Sequence, residues 1–212
     1  RPWFRADHVT DAGEVRDIAL ADGSLVNLGS RSALSVDLGP ERRLVRLLRG
    51  EGFFAVAPDP RPFAVRALGG EVAALGTRFN VCLQGGRVDV AVAEHAVSLK
   101  LPGLPAVELG QGWQSSYGRD YIAPPVQAEP DSIGAWRQGR MIFRNTPLGE
   151  VLAEIARWRG GSISAWGSGV AAVPVTAIFD TNAPDAALET IVQTLDLRMV
   201  NLPGGITLIR GG

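Results

Sequence analysis

The 212 residues carry 21 basic and 22 acidic side chains, a net charge of −1, so no overall field draws the chain to nucleic acid or to an anionic membrane. An apolar share of 46% supports one large or two ordinary cores and excludes intrinsic disorder, while 26 glycines and 14 prolines point to many short elements joined by tight turns. No run approaches the roughly 20 apolar residues of a spanning helix. A membrane is therefore expected only through a helix upstream of Arg1, where the chain opens on RPWFRADH rather than on a start methionine.

Residues 1–9 read as an N-terminal fringe. Trp3, with Pro2 and Phe4 between Arg1 and Arg5, resembles the aromatic and basic border where a chain leaves a bilayer, a disordered or lattice-packed terminus being the alternative. Residues 10–120 read as an all-β domain of roughly ten short strands in hairpins. EVRDIAL meets ADG before SLVNL, RRLVRLL meets RGEG before FFAVA, PFAVRA meets LGG, and FNVCL meets QGG before RVDVAVA. Arg42, Arg43, Arg46 and Arg49 are expected on the outward face and ends of one strand, and carboxylates such as Asp22 and Glu51 in solvated or capped turns. Cys82 has no second cysteine to bridge, and FNVCLQGG reads as a strand on apolar surface, which makes it a small buried hydrophobe rather than a reactive thiol.

Three prolines within residues 121–133 predict a stiff extended linker. Beyond it, residues 134–212 read as a small α+β domain built of two strand-helix-strand units. In the first helix Leu148, Val151, Leu152, Ile155 and Ala156 follow the spacing of one apolar face, with Thr146 expected as cap, Pro147 in the first helical position and Gly160 at the far end. The second helix repeats the plan with Asn182 as cap, Pro184 in the first turn, and Ala187, Leu188, Ile191 and Leu195 as its stripe. Phe143 and Phe179 end the preceding strands at matching places. Packing within these elements is expected to account for Trp113, Trp136, Trp158 and Trp166.

No catalytic constellation emerges. His8 and His95 stand apart from any second ligand, no phosphate-binding glycine motif occurs, and GSG at 167–169 lacks the hydrolase elbow, so no metal or cofactor is expected. A hydrolase would require folding to bring His95 beside a serine and a carboxylate. Gly76 is the one oddity, because a glycine within the strand-like run LGTRFNV weakens it unless a bulge or close approach requires it.

Several linked features from Thr10 to Gln111, namely Asp22-Gly23-Ser24, Gly50-Glu51, Phe54, Pro62-Phe63 and Gly76-Thr77 with Phe79 and Val81, resemble the periplasmic region of the FecR family. His95 departs from that family, which usually has glycine in the corresponding turn. FRNTPLGEVLAEIARWRG and VTAIFDTNAPDAALETIVQTL are similar to the secretin and TonB short N-terminal (STN) domain, with Ala177 where a glycine is common.

These resemblances imply a relay rather than an enzyme. Expected is the periplasmic part of a single-pass inner-membrane anti-sigma factor of a Gram-negative bacterium, which receives an iron- or siderophore-type signal from the STN-like signalling domain of an outer-membrane TonB-dependent transducer. The extracytoplasmic-function sigma factor would be held by a cytoplasmic segment absent from this chain. Strand addition at a sheet edge is the expected recognition mode. The candidate strands are Arg140, Met141, Ile142, Phe143 and Arg144, and Val175, Thr176, Ala177, Ile178, Phe179 and Asp180. The resemblance also implies a second role for Gly76 and Thr77, since some family members are cut between these residues without a protease. The alternative to the whole reading is an envelope- or carbohydrate-binding module with no sigma factor involved.

Overall fold

Alternating burial along short runs produces thirteen strands in the N-terminal part of the chain. In the computed structural model, which describes residues 6–74 and 76–211, these are β1 (His8–Val9), β2 (Arg16–Ala19), β3 (Leu25–Leu28), β4 (Ala33–Leu38), β5 (Arg43–Ala55), β6 (Phe63–Ala67) and β7 (Gly70–Ala74), followed by β8 (Arg78–Gln84), β9 (Arg87–Glu94), β10 (Ala96–Lys100), β11 (Val107–Gly110), β12 (Trp113–Tyr117) and β13 (Val126–Gln127). Trp3 and its flanking residues lie outside the described residues. The count exceeds the ten expected, because short edge strands such as β1 and β13 carry too few residues to show a period. All thirteen join one sheet in the order β11-β10-β7-β6-β5-β8-β9-β12-β13, with β3 and β4 also on β5, β2 on β3 and β1 on β4.

β5 organises this sheet. Its first half pairs with β4 and, in parallel, with β6; its second half pairs with β3 and β8. The RGEG stretch, expected as a hairpin turn, is instead a corner inside one 13-residue strand. Gly50 takes φ +76°, which redirects the chain without reversing it. The halves on either side of the corner share one core, in which Phe54 of the second half stacks on Phe79 of β8 at 5.4 Å and meets Phe63 of β6, the strand paired with the first half, at 6.3 Å. The expected tight turns are present at Leu68-Gly69 and Gly85-Gly86, where both central residues have positive φ as two-residue hairpins require. The proline-rich stretch 121–133 is no free linker. Ile122 bridges to Tyr117, the Ala123 amide donates to Ser116 O at 2.8 Å, and β13 pairs with β12, so it continues the sheet margin.

Contacts divide the chain into two units, one made of the chain to Asp11 with Val15–Gly134, the other of Ala12–Glu14 with the chain from Ala135 onward. The second comprises β14 (Arg140–Pro147), α1 (Leu148–Arg159), β15 (Ser162–Trp166), β16 (Pro174–Asp180), α2 (Pro184–Thr194), β17 (Leu197–Leu202) and β18 (Ile206–Gly211). β14 and β16 form an antiparallel pair, and β15-β18-β17 a mixed three-stranded sheet. The anticipated stripe of α1 is buried throughout, as are Ala187, Leu188 and Ile191 of α2, while Leu195 is half-buried just past its end. Arg159 in the last turn of α1 bonds Asp185 in the first turn of α2 at 2.5 Å and Thr207 of β18 at 2.8 Å, placing each charge at the favourable helix end.

Both expected caps fail. β14 runs directly into α1, so Pro147 rather than Thr146 precedes the helix, and the Thr146 hydroxyl instead accepts from the Arg144 amide at 3.2 Å. Asn182 is spent in a turn, donating to Asp180 Oδ1 through its amide and side chain, and Ala183 takes the cap position. Gly160 does close α1, its amide donating to Ala156 O at 3.0 Å. Trp136 and Trp158 are buried, but Trp113 and Trp166 are exposed, contrary to expectation: Trp113 stands at the very start of β12, and Trp166 alternates onto the face of β15 opposite buried Ile163.

A methyl group at position 50 would stand 2.7 Å from Ser32 Cα, a backbone atom that cannot yield cheaply. Gly50→Ala is expected to lower stability by about 3 kcal/mol, combining left-handed backbone strain with overpacking, read as an earlier midpoint in urea unfolding of the first unit.

Candidate functional site

The two strands singled out from the sequence are brought together as a pair. Met141 lies opposite Phe179 and Phe143 opposite Ala177, and the Phe143 and Phe179 rings meet at 6.2 Å. This face, with buried Val175, packs inward. Arg140, Ile142, Arg144, Thr176, Ile178 and Asp180 alternate onto the other face, where Ile142 and Ile178 are directly opposed and Ile178 is 59% exposed. Within the described residues each strand has a single neighbour, so both present a margin of backbone donors and acceptors. The margins differ. β14 is bulged, with Arg144 and Asn145 set against Thr176 alone, Asn145 at φ +51° and its amide donating to Thr176 Oγ1 at 2.9 Å. A bulge breaks the regular spacing an incoming strand needs, whereas β16 is regular along its length.

Gly76 and Thr77 sit at the turn between β7 and β8. Gly76 takes φ +70°, and Pro58 closes to 4.0 Å of where a side chain would begin. Thr77 is 1% exposed; its hydroxyl donates to Ala96 O at 2.9 Å and its carbonyl accepts from the Val56 amide at 3.0 Å. Beside the turn lies a cleft of about 520 Å³ lined by Gly76, His95, Ser98, Lys100 and Glu108 among others. His95 takes φ +61°, so the chain keeps the left-handed geometry that a glycine would supply there, at the strain cost of a side chain. Ser98 and Glu108 are opposed across β10 and β11, but His95 hydrogen-bonds to neither, so no nucleophile and base pair is assembled.

The loop against Gly76 is held by a buried ion pair that the sequence did not disclose. Arg43, expected on the outer face, is fully enclosed: it bonds Asp22 Oδ2 at 2.8 Å, donates to the carbonyls of Ala57 and Arg61, and lies 5.3 Å over the Phe63 ring. Asp22 also accepts from the amide and hydroxyl of Ser24, whose oxygen accepts from the Ala57 amide. Burial alone pushes the Asp22 carboxyl up, but the bonds from Ser24 and Arg43 together outweigh it and hold the group below its ordinary value. Asp59 is likewise held low, chiefly by its hydrogen bonds from Arg61. Burial drives the Tyr117 phenol well up, its hydroxyl donating to Ala67 O at 3.0 Å.

Glu51 and Cys82 also depart from expectation. The corner in β5 buries Glu51 on the sheet face opposite the aromatic core, where its carboxylate accepts from Asn80 Nδ2 at 2.8 Å. Cys82 lies between Glu51 and Asp89 across the ladder, half-buried on that polar face rather than in the apolar core, because β8 alternates its odd-numbered residues inward. The face borders a cleft of about 360 Å³. Among the described residues no group of three or more metal-ligating side chains converges, and no helix is long and apolar enough to cross a membrane.

Residues 6–98 match the profile of the FecR protein family. Two crystal structures of a "putative anti-sigma factor" from Parabacteroides distasonis ATCC 8503 share the fold, with TM-scores of 0.85 and 0.84, each at 23% identity over 97% of this chain and 98% of the other. No curated protein sequence matches the chain.

Because the folded-state value of Asp22 lies below the unfolded one, its pairing stabilises the native state at neutral pH, and the contribution fades as pH falls beneath about 4. Asp22→Asn is expected to cost about 3 kcal/mol at pH 7 by stranding Arg43. The gap from wild type should narrow in unfolding titrations below pH ~4; a constant gap would contradict the assignment.

Proposed function

We propose that the chain is the periplasmic signalling region of a membrane-anchored sigma-factor regulator. In this reading it binds the signalling domain of an outer-membrane TonB-dependent transducer and relays an iron- or siderophore-type signal. The FecR match over residues 6–98 and the fold shared with a "putative anti-sigma factor" support the regulator assignment. The regular open margin of β16 carries the docking hypothesis. A partner strand laid along β16 would satisfy main-chain groups, and exposed Ile178 would help set register through alternate side chains. β14 serves less well because of its bulge.

Successive residues of a strand point their amides to opposite sides, so adjacent prolines in β16 test the margin with an internal control. Of Ala177→Pro and Ile178→Pro, one removes a donor facing β14 and should unfold the second unit. The other removes a donor facing the margin and should leave circular dichroism intact while weakening calorimetric affinity for the transducer's signalling domain about tenfold. Unchanged affinity in the folded variant would end the strand-addition reading.

Self-cleavage at Gly76-Thr77 is a second, separable proposal, favoured by the left-handed Gly76 and by a buried Thr77 hydroxyl held in place by its hydrogen bond to Ala96 O at 2.9 Å. The Thr77 oxygen attacks the Gly76 carbonyl carbon, the amide C–N bond breaks, and the acyl group passes to oxygen as an ester while the Thr77 amine is released. Water then hydrolyses the ester to a Gly76 carboxylate and restores the hydroxyl. Since β5 pairs with β8 and β7 with β10, the two pieces would remain joined in the folded sheet. Denaturing mass spectrometry should resolve two fragments whose masses sum to the chain plus one water, against a single intact species for Thr77→Ala. One intact species in both would sink the proposal.

A further inference from the structure

The three-stranded sheet of the second unit has one face against its helices and one in solvent. Thr207 and Ile209 of β18 are buried on the inner face. Strand alternation and register then set three rows on the outer one: Leu202 beside Ile206, Val200 beside Leu208, and Arg198 beside Arg210, with Trp166 of β15 flanking Arg210. Leu202 and Ile206 are each 41% exposed and Trp166 is 68% exposed. Such a contiguous apolar patch edged by tryptophan and arginine has the composition of a protein interface core.

The arginines identify what the face accepts. Arg198 and Arg210 stand directly opposite one another across the ladder, an arrangement that repels. Both are exposed, and among the described residues neither forms an ion pair, with Asp196 or with any other carboxylate. We propose that this face is a docking surface for a second protein that presents carboxylates beside aliphatic side chains, the carboxylates seating between Arg198 and Arg210 and the aliphatic groups over Val200, Leu202, Ile206 and Leu208. A second copy of the chain is disfavoured, because a two-fold contact would set four arginines together. A bilayer is disfavoured too, since two arginines fall short of the roughly four to eight basic residues of a polybasic membrane segment. The inference concerns a face rather than a margin, and a different sheet from β14 and β16, so it stands apart from strand addition.

The test uses the full chain, isotopically labelled, and a designed β-hairpin peptide whose one face alternates valine with glutamate, beside the same hairpin with lysine for glutamate. The glutamate hairpin is expected to bind, with amide shifts confined to the neighbourhood of Trp166, Val200, Leu208 and Arg210. Affinity should fall at least about tenfold for Arg198→Glu with Arg210→Glu, and measurably for Arg198→Gln, whose exposed side chain leaves the fold and melting curve unchanged. Wild-type affinity and the same amide shifts retained in Ile178→Lys would keep this site distinct from the β16 margin, and loss of binding in that variant would overturn the assignment. Equal binding of both hairpins, no binding of the glutamate form, Trp166 insertion into phosphatidylglycerol vesicles, or dimerisation abolished by Trp166→Ser would each overturn the proposal.

Discussion

The corner at Gly50 is the constraint on which the first unit depends. A strand that must pair with β4 and β6 along one half and with β3 and β8 along the other has to change direction without ending, and the positive φ of Gly50 permits this. Ser32 fills the space a side chain would occupy there. Its hydroxyl accepts from the Glu51 amide at 2.8 Å and donates to Ser30 O at 3.0 Å, satisfying polar groups that the bend would otherwise leave buried and unpaired. Thr10 ties the neighbouring chain in the same way, donating to Gly29 O at 2.5 Å and accepting from the Ser32 amide.

From that corner the structure leads to its candidate sites by continuous pairing. The second half of β5 places β8, and β8 begins just after Gly76 and Thr77. The first half carries Arg43, whose bonds to Asp22 and to the carbonyls of Ala57 and Arg61 hold the loop that abuts Gly76. A left-handed glycine and a buried threonine hydroxyl are thus held from two sides by a sheet ladder and an ion-pair network. The second unit is built differently. Its two helices bury one stripe each and leave two small sheets with open margins and one open face, and small open sheets are suited to recognition.

Much of this was legible from local pattern. Two-residue turns announce themselves because only certain residues accept positive φ, so Gly85-Gly86 could be placed without knowing what it joins, and Gly69 marked the turn in which Leu68 also takes a positive φ. The α1 and α2 stripes follow from helical period. The errors share a different origin. RGEG has the composition of a turn but acts as a corner, and only the partners on each side of β5 distinguish the two. Arg43 has the residue type of a surface strand, yet a carboxylate 21 residues earlier in the chain and two loop carbonyls make its burial tolerable. Thr146 and Asn182 were credible caps, but the Thr146 hydroxyl accepts from the nearer Arg144 amide and Asn182 donates through its amide and side chain to the Asp180 carboxylate.

Sequence by itself determined where chain direction changes, which residues share a strand face or helix stripe, and that no cluster of chemistry-bearing side chains lies within one short stretch. Those properties depend on φ preferences and on periods of two and 3.6 residues, which a few neighbours settle. Tertiary structure alone decided which face of a strand is core, which margins stay open, and which charges meet. Cys82 came to lie between two carboxylates and Arg198 against Arg210 because register joins residues distant in the chain, and pairing energies of that kind exist only once the strands have met.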